Sequence, residues 1–492
     1  MDREISRKNG NIKSLEGYEI WEYEEKIRNH PLSIDLDLCT KQGLFPYLDT
    51  TVSKEAWSLF LNSFLQIQNV DSIKLQKDVQ DLIKNKFLPY QFLRKSLPHV
   101  SDSKEKFSIY TSSVQIPFWE KRKLLKLIFP FWGIFTPVWL ILSSIFSLPF
   151  SPLLLLINLI LFVFYKKDST KIWKQIQTYQ ESIMNIKWAW VRMDPKNRNK
   201  TKAMLNSMQK LTNSSYWVIS PIPHFALNIL FLWDLWKVKA YFKWNQFYKK
   251  EWDSKRESWI RLEANLPIAQ FAFLNPDFDF PIWTNDKSFE ANEIAHPLIM
   301  AKQRISNPLP KIETGNLMIL TGSNMSGKTT YLRSIAINLL LAGIGGPICG
   351  SAIKLTNFKI HTLIRSQDSL ENGISFFYSE VRRLSEIIRN SDASNEISIL
   401  FLDEILKGTN SRERQIATRE ILNALKEKGA IVFLTTHDLD LAEIPGAKLY
   451  HFTELEKDGQ MYFDYHLREG ISKTTNALRI LRKEGIPIRE NL

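Results

Sequence analysis

Three short clusters in the last third of the chain hold residue types from which a phosphate-handling site can be built. The first is Gly322-Ser323-Asn324-Met325-Ser326-Gly327-Lys328-Thr329, followed by Thr330. It fits the G-x-x-x-x-G-K-[ST] spacing of a phosphate loop, with an apolar run before it and a helical pattern after it. Glycines let the backbone wrap close and aim N–H groups at phosphate oxygens. A helix beginning at Lys328 puts its positive end under the same oxygens. Lys328 would neutralise the β and γ charge of a nucleoside triphosphate, and Thr329 would offer a hydroxyl to Mg²⁺. The second cluster, Leu400-Phe401-Leu402-Asp403-Glu404, ends an apolar run in two carboxylates. Asp403 can hold Mg²⁺ through water, and Glu404 can orient or deprotonate an attacking water. The third, Thr435-Thr436-His437-Asp438, places a histidine just past another apolar run, where it can sense a γ-phosphate. By residue chemistry alone, the polar stretch Asp368 to Phe377 reads only as a loop before a helix, with Ser375 suited to its N-cap.

The elements that must position these groups are legible around them. Leu317–Leu320, Ile397–Leu402 and Ala430–Thr435 are apolar runs that alternate with helical patterns. That texture, from about residue 291 onward, indicates a parallel sheet covered on both faces. Upstream the spacing is helical, as in Ala56, Leu59, Phe60, Phe64 and Leu65. Residues 172–264 are again helical and rich in tryptophan. Between these parts, Leu127 to Tyr165 has no charged residue. That run is nearly twice the about 20 residues a spanning helix needs. The turn-like Ser147-Leu148-Pro149-Phe150-Ser151-Pro152 divides it, so the sequence predicts a transmembrane hairpin of Leu127–Phe146 and about Pro149–Tyr165. Lys121, Arg122, Lys123 and Lys126 before it, and Lys166 and Lys167 after it, place both outer ends on the cytoplasmic side. Phe225–Trp233 is apolar but short, and is expected to be a core helix.

Composition excludes wholesale disorder: 44% of residues are hydrophobic and 24% charged. The net charge of +13 favours a polyanionic partner, whether nucleic acid, anionic lipid or the nucleotide itself. Cys39 and Cys349 offer neither a metal-ligand spacing nor a disulfide framework. The polar start of the chain carries no evident cleavable signal peptide.

Taken in order, these clusters resemble the MutS family. Gly322 to Arg333 is similar to its Walker A, T-G-P-N-M-G-G-K-S-T-Y-L-R, with Ser323 in place of proline. Leu402 to Asn410 resembles its Walker B and following loop, L-D-E-I-G-R-G-T-S. Ala295-His296-Pro297 is similar to the opening R-H-P, and Ser375 to Glu380 stands where the family has S-T-F-x-x-E. Phe463 to Gly470 matches the late F-x-Y-x-L-x-x-G. Fainter likenesses at Gly43–Thr51 and Leu75–Val79 look like the start of the family's helical core.

The resemblance implies an α/β P-loop NTPase domain of ABC type at the C-terminus. It also implies an all-α core or lever domain, here interrupted by the transmembrane hairpin. Expected boundaries are 1–32 for a charged lead, 33–120 and 168–290 for the two core parts, 121–167 for the hairpin and 291–492 for the ATPase domain. Gly322 to Thr330 would bind ATP, with Thr329 and Asp403 on Mg²⁺. Glu404 would be the catalytic carboxylate and His437 the switch histidine. Ser375 would touch the γ-phosphate of a partner subunit's ATP, which implies a homodimer with two composite sites. The mismatch-reading domain and the C-terminal dimerising helices are expected to be absent. A membrane-anchored ATPase coupled to DNA, without mismatch specificity, is the expected function; an ATP-driven membrane switch acting on a protein or lipid partner is the alternative. The expected location is the cytoplasmic membrane, with both termini and the ATPase domain inside, held by residues 127–165.

Overall fold

The computed structural model describes residues 30–471, apart from 41–42, 67–70, 85–122, 148, 150, 194–196, 215–217, 219, 324, 365–375, 392–395 and 458–459. Contacts divide the chain into two units: residues 51–59 with 90–264, and residues 1–50, 60–89 and 265–492.

The first unit is helical. Its main described helices are α1 (Lys123–Phe146), α2 (Ser151–Met193), α3 (Pro221–Phe231) and α4 (Trp233–Leu274), whose last residues, from Asn265, belong to the other unit. Proline is tolerated at the start of α3 because the first helical turn needs no N–H donor there. The tryptophan-rich stretch packs as an aromatic cluster in which Tyr179, Trp190, Trp244 and Trp252 are buried, with Trp252 at 4.8 Å from both Tyr179 and Trp190. Glu263 is buried, and its carboxylate accepts the Val52 and Ser53 N–H groups at 2.7 Å each, plus the Ser53 hydroxyl at 2.9 Å. A buried charge is tolerable only with such partners.

Two helices do form where the hairpin was expected, but its membrane-spanning character is corrected. Among the described residues, no helix is long and apolar enough to cross a membrane. In α2 the apolar run stops at Tyr165, and Lys166, Lys167 and Asp168 follow in the same helix. The expected core helix at Phe225–Trp233 is also corrected. The chain forms α3 up to Phe231 and breaks at Leu232, which is left-handed at φ 47°. Ile222, Phe225, Leu230 and Phe231 of α3 are exposed.

The second unit is built on a six-stranded sheet. Its strands are β1 (Leu317–Thr321), β2 (Phe358–Leu363), β3 (Ile397–Asp403), β4 (Ile431–Thr435), β5 (Ala447–His451) and β6 (Arg468–Glu469), in the order β6-β5-β1-β4-β3-β2. All pairs are parallel except β5 with β6. The central strands are apolar on both faces because helices cover both. Those helices are α5 (Lys328–Gly343), α6 (Phe376–Asn390) and α7 (Ser411–Glu427). Asn410 caps α7 by accepting the Glu413 N–H at 2.9 Å. Register sets the site: Leu320 lies opposite Thr435, and Thr435 opposite Asp403, so β1, β4 and β3 end together. A smaller five-stranded sheet, including Ser288–Ile294 and Asn307–Glu313 paired antiparallel, belongs to the same unit.

Candidate nucleotide site

In open parallel sheets, ligands bind beyond the carboxyl ends of the strands. The sequence clusters meet there. Between β1 and α5 the loop turns through Gly322 (φ 140°) and Gly327 (φ 107°), backbone angles that favour glycine. Crowding adds to this at Gly322, where a Cβ would sit 2.5 Å from the Phe452 carbonyl oxygen. Lys328 folds back over the loop, its Nζ donating to the Gly322 and Ser323 carbonyls at 2.9 and 2.8 Å. Burial pulls its ammonium below the usual lysine range, against the opposing pull of Glu404, Asp403 and Glu454. Thr329 donates its hydroxyl to Asp403, at 3.0 Å to Oδ2. The Thr435 hydroxyl bonds the same carboxylate. Met325, at the tip of the loop, is 85% exposed.

Glu404 follows Asp403 in a left-handed backbone position (φ 49°), as does Leu406 (φ 59°). Its N–H is tied to the Thr435 carbonyl at 3.1 Å. His437 Nε2 lies 2.8 Å from one carboxylate oxygen and Lys407 Nζ 2.9 Å from the other. Burial alone would raise the Glu404 carboxyl; the Lys407 hydrogen bond and the charges of His437, Lys407 and Lys328 outweigh it and hold the group below the usual range. Arg414 grips Asp438, the residue after His437, in a fork of 3.0 and 3.1 Å. The structure thus brings together Gly322, Ser323, Ser326, Gly327, Lys328, Thr329, Thr330, Asp403, Glu404 and His437. Asn324 and Ser375 lie outside the described residues.

The loop opens on a cleft of about 370 Å³ lined in part by His296, Ile305, Asn307, Tyr331, Phe452 and Tyr465. Burial, with the charges of Arg333 and Arg304, pushes the His296 imidazole down to about 4. Asn307 orders one wall: it donates to the Tyr465 carbonyl at 2.9 Å and accepts the Leu467 N–H at 2.7 Å. Sequence reasoning gave no role to Asn307, Phe452 or Tyr465, and only Tyr465 lay in a recognised motif. It also missed Glu454, which accepts the Ser323 hydroxyl at 2.6 Å, and Glu380. Glu380 is buried on α6 and accepts the Leu406 N–H at 3.0 Å. Burial raises its carboxyl, with the Leu406 N–H pulling the other way.

The residues fit Mg²⁺ and a triphosphate. Two glycines give the loop its close approach, and a hydroxyl and a carboxylate already share a hydrogen bond where a divalent cation would sit. The Ser326 hydroxyl is buried without a partner among the described residues. Fold and site together define a P-loop nucleotide-binding domain of the α/β class. Residues 318–489 match the family described as MutS domain V. Three relatives carry the likeness. A DNA mismatch repair protein MutS of Natronomonas pharaonis is 31% identical over 202 residues, 39% of this chain and 23% of the relative. One of Aquifex pyrophilus is 31% identical over 219 residues, 42% and 25%. An Endonuclease MutS2 of Lactococcus lactis is 29% identical over 247 residues, 48% and 30%. Through this domain the chain is similar to proteins of the MutS family. It spans less than a third of the length of these relatives.

Proposed function

We propose that the chain binds Mg-ATP in this cleft and hydrolyses it as one subunit of a homodimer, with nucleotide state coupled to DNA binding. The observation that carries the reading is the convergence of Lys328, Thr329, Asp403, Glu404 and His437 at the ends of three adjacent strands. Lys328 gives up its bonds to the loop carbonyls and neutralises the β and γ oxygens. Thr329 and Asp403 would hold Mg²⁺, which would supply Lewis-acid polarisation of the terminal phosphate. Glu404 accepts the proton of the attacking water. His437 and Lys407 each bond one of its oxygens in this structure, and each oxygen keeps a second lone pair for the attacking water. Ser375, which precedes α6 in sequence, would reach the partner subunit's nucleotide and complete its site. The basic charge and the names of the matched relatives support DNA as the coupled ligand.

The exposed apolar side of the helical unit favours a second reading: an ATP-driven switch, attached to the cytoplasmic membrane, that acts on a protein or lipid partner. Salt-dependent titration of purified protein with duplex and branched DNA, with and without a non-hydrolysed ATP analogue, separates the two. Nucleotide-dependent binding at low salt supports the first. Absence of binding in every state leaves only the second.

A further inference from the structure

The helical unit inverts the ordinary distribution of polar and apolar side chains where α1, α2 and α3 pack together. Outward-facing positions are large and apolar. On α1, Phe131, Ile141 and Ile145 are 72%, 62% and 65% exposed. Leu156, Ile160 and Val163 continue the face on α2. On α3, Ile222 is 82% exposed, and Phe225 is exposed beside it. Inward-facing positions include the polar ones: Thr136, Asn158 and Asn228 are fully buried.

The buried polar groups satisfy one another. Trp132 donates to Asn158 at 2.7 Å, and Asn158 donates to the Ile229 carbonyl at 2.6 Å. Tyr165 donates to Asn228 at 3.0 Å, and Asn228 in turn donates to the His224 carbonyl at 2.9 Å. Gly133 lets the helices close: a Cβ there would meet the Phe231 carbonyl at 2.8 Å. Small residues at contacts, hydrogen bonds between helices and an apolar exterior are how helices associate in hydrocarbon. In water an apolar surface of this extent is costly.

We propose that this face is a lipid-embedded wedge, with α3 as its third member. The proposal rests on the membrane attachment put forward above and extends it from residues 127–165 to Pro221–Phe231. The boundary of the face supports a bilayer as the occupant. Beyond Tyr165, α2 exposes Lys166 and Lys167, and Lys166 lies 5.7 Å from the Phe162 ring. Beyond α3, Lys237 lies over Trp233 at 4.2 Å. Aromatic rings and lysines at the rim of an apolar band suit the headgroup layer, where cations meet anionic lipid. Asn228 and Ile229 bond to Tyr165 and Asn158, so α3 lies level with the last turns of the apolar part of α2 and near this rim. The apolar part of α2, which stops at Tyr165, runs about 20 Å at 1.5 Å per residue, against about 30 Å of hydrocarbon. On this length α2 enters the bilayer from one side and does not cross it.

Site-directed spin labelling of the full chain tests this. Cys39→Ala and Cys349→Ala remove the native thiols. Single labels then go on Ile222→Cys and Phe225→Cys in α3, Ile160→Cys in α2, and Lys202→Cys on the exposed side of the helix Arg198–Asn213. The protein is reconstituted in phosphatidylcholine–phosphatidylglycerol vesicles, and collision rates with oxygen and with a neutral nickel chelate are compared. The expected result is oxygen favoured several-fold at 222, 225 and 160, and the chelate favoured at 202. If 160 reads as lipid while 222 and 225 read as water, α3 is not part of the wedge and the proposal falls alone. If 160 also reads as water, the membrane attachment falls with it. If 222 and 225 are shielded from both reagents, a protein surface covers them and the lipid assignment is wrong.

Discussion

Replacing Glu380 with alanine should slow hydrolysis while leaving nucleotide binding intact. Glu404 and Leu406 sit in left-handed backbone positions on the loop that carries the proposed base. Each costs roughly 1–2 kcal/mol for a residue with a side chain. Among the contacts that oppose this strain is the hydrogen bond from Leu406 N–H to the buried Glu380 carboxylate. A hydrogen bond to a charged group contributes about 1.5–3 kcal/mol. The restraint and the strain are therefore of similar size, and without the restraint the loop can relax. If the whole loss appears as misplacement of Glu404, turnover falls by about 10- to 150-fold. Lys328 and Thr329 do not touch Glu380, so affinity for a fluorescent ATP analogue should hold. Glu380→Gln keeps a carbonyl oxygen in the same place and should recover most of the rate. The assay is single-turnover hydrolysis beside equilibrium nucleotide binding on folded variants. Wild-type turnover in Glu380→Ala, or a glutamine variant as slow as the alanine one, would refute the argument.

The other predictions concern groups around the same cleft. Glu404→Gln should abolish turnover, retain ATP and accumulate a dimer by light scattering; a normal rate would end its assignment as the base. Gly322→Ala should abolish nucleotide binding in calorimetry, because the new methyl meets the Phe452 carbonyl at 2.5 Å in a strained backbone position. His296, held down to about 4 against the usual 6.5 of an imidazole, stays neutral in the fold and takes up a proton on unfolding as the pH drops. Its contribution is complete above pH 6.5 and is lost as pH falls toward 4, costing about 2 kcal/mol between pH 7 and pH 5. Urea melts should show that loss shrinking in His296→Gln; an unchanged pH slope would mean the imidazole is not held neutral.

What the sequence made legible follows from how local each signal is. The phosphate loop, the Asp403-Glu404 pair and the three apolar strands are contiguous segments whose residue types suffice, and the parallel sheet needs only their alternation with helices. Glu380 was quoted as part of a motif, yet its partner is a backbone N–H on another loop, and no spacing rule announces that. Asn307 and Glu454 reach the cleft from segments far away in sequence, as isolated polar residues without a pattern. The helical unit is less legible, because its decisive contacts are not local. The charge pattern marks where an apolar run ends, at Tyr165 before Lys166 in α2 as the sequence predicts, but not which of its side chains turn inward. The shortness of α3, with Asp234 and Lys237 close behind it, predicts a core helix. Its three-dimensional partners decide otherwise: Asn228 and the Ile229 carbonyl turn inward to bond α2, which leaves Ile222 and Phe225 no inward place. Polar residues with buried partners can thus fix which way an apolar helix faces, and a hydropathy pattern, blind to the hydrogen bonds at 158, 165 and 228, assigns such a helix to the interior.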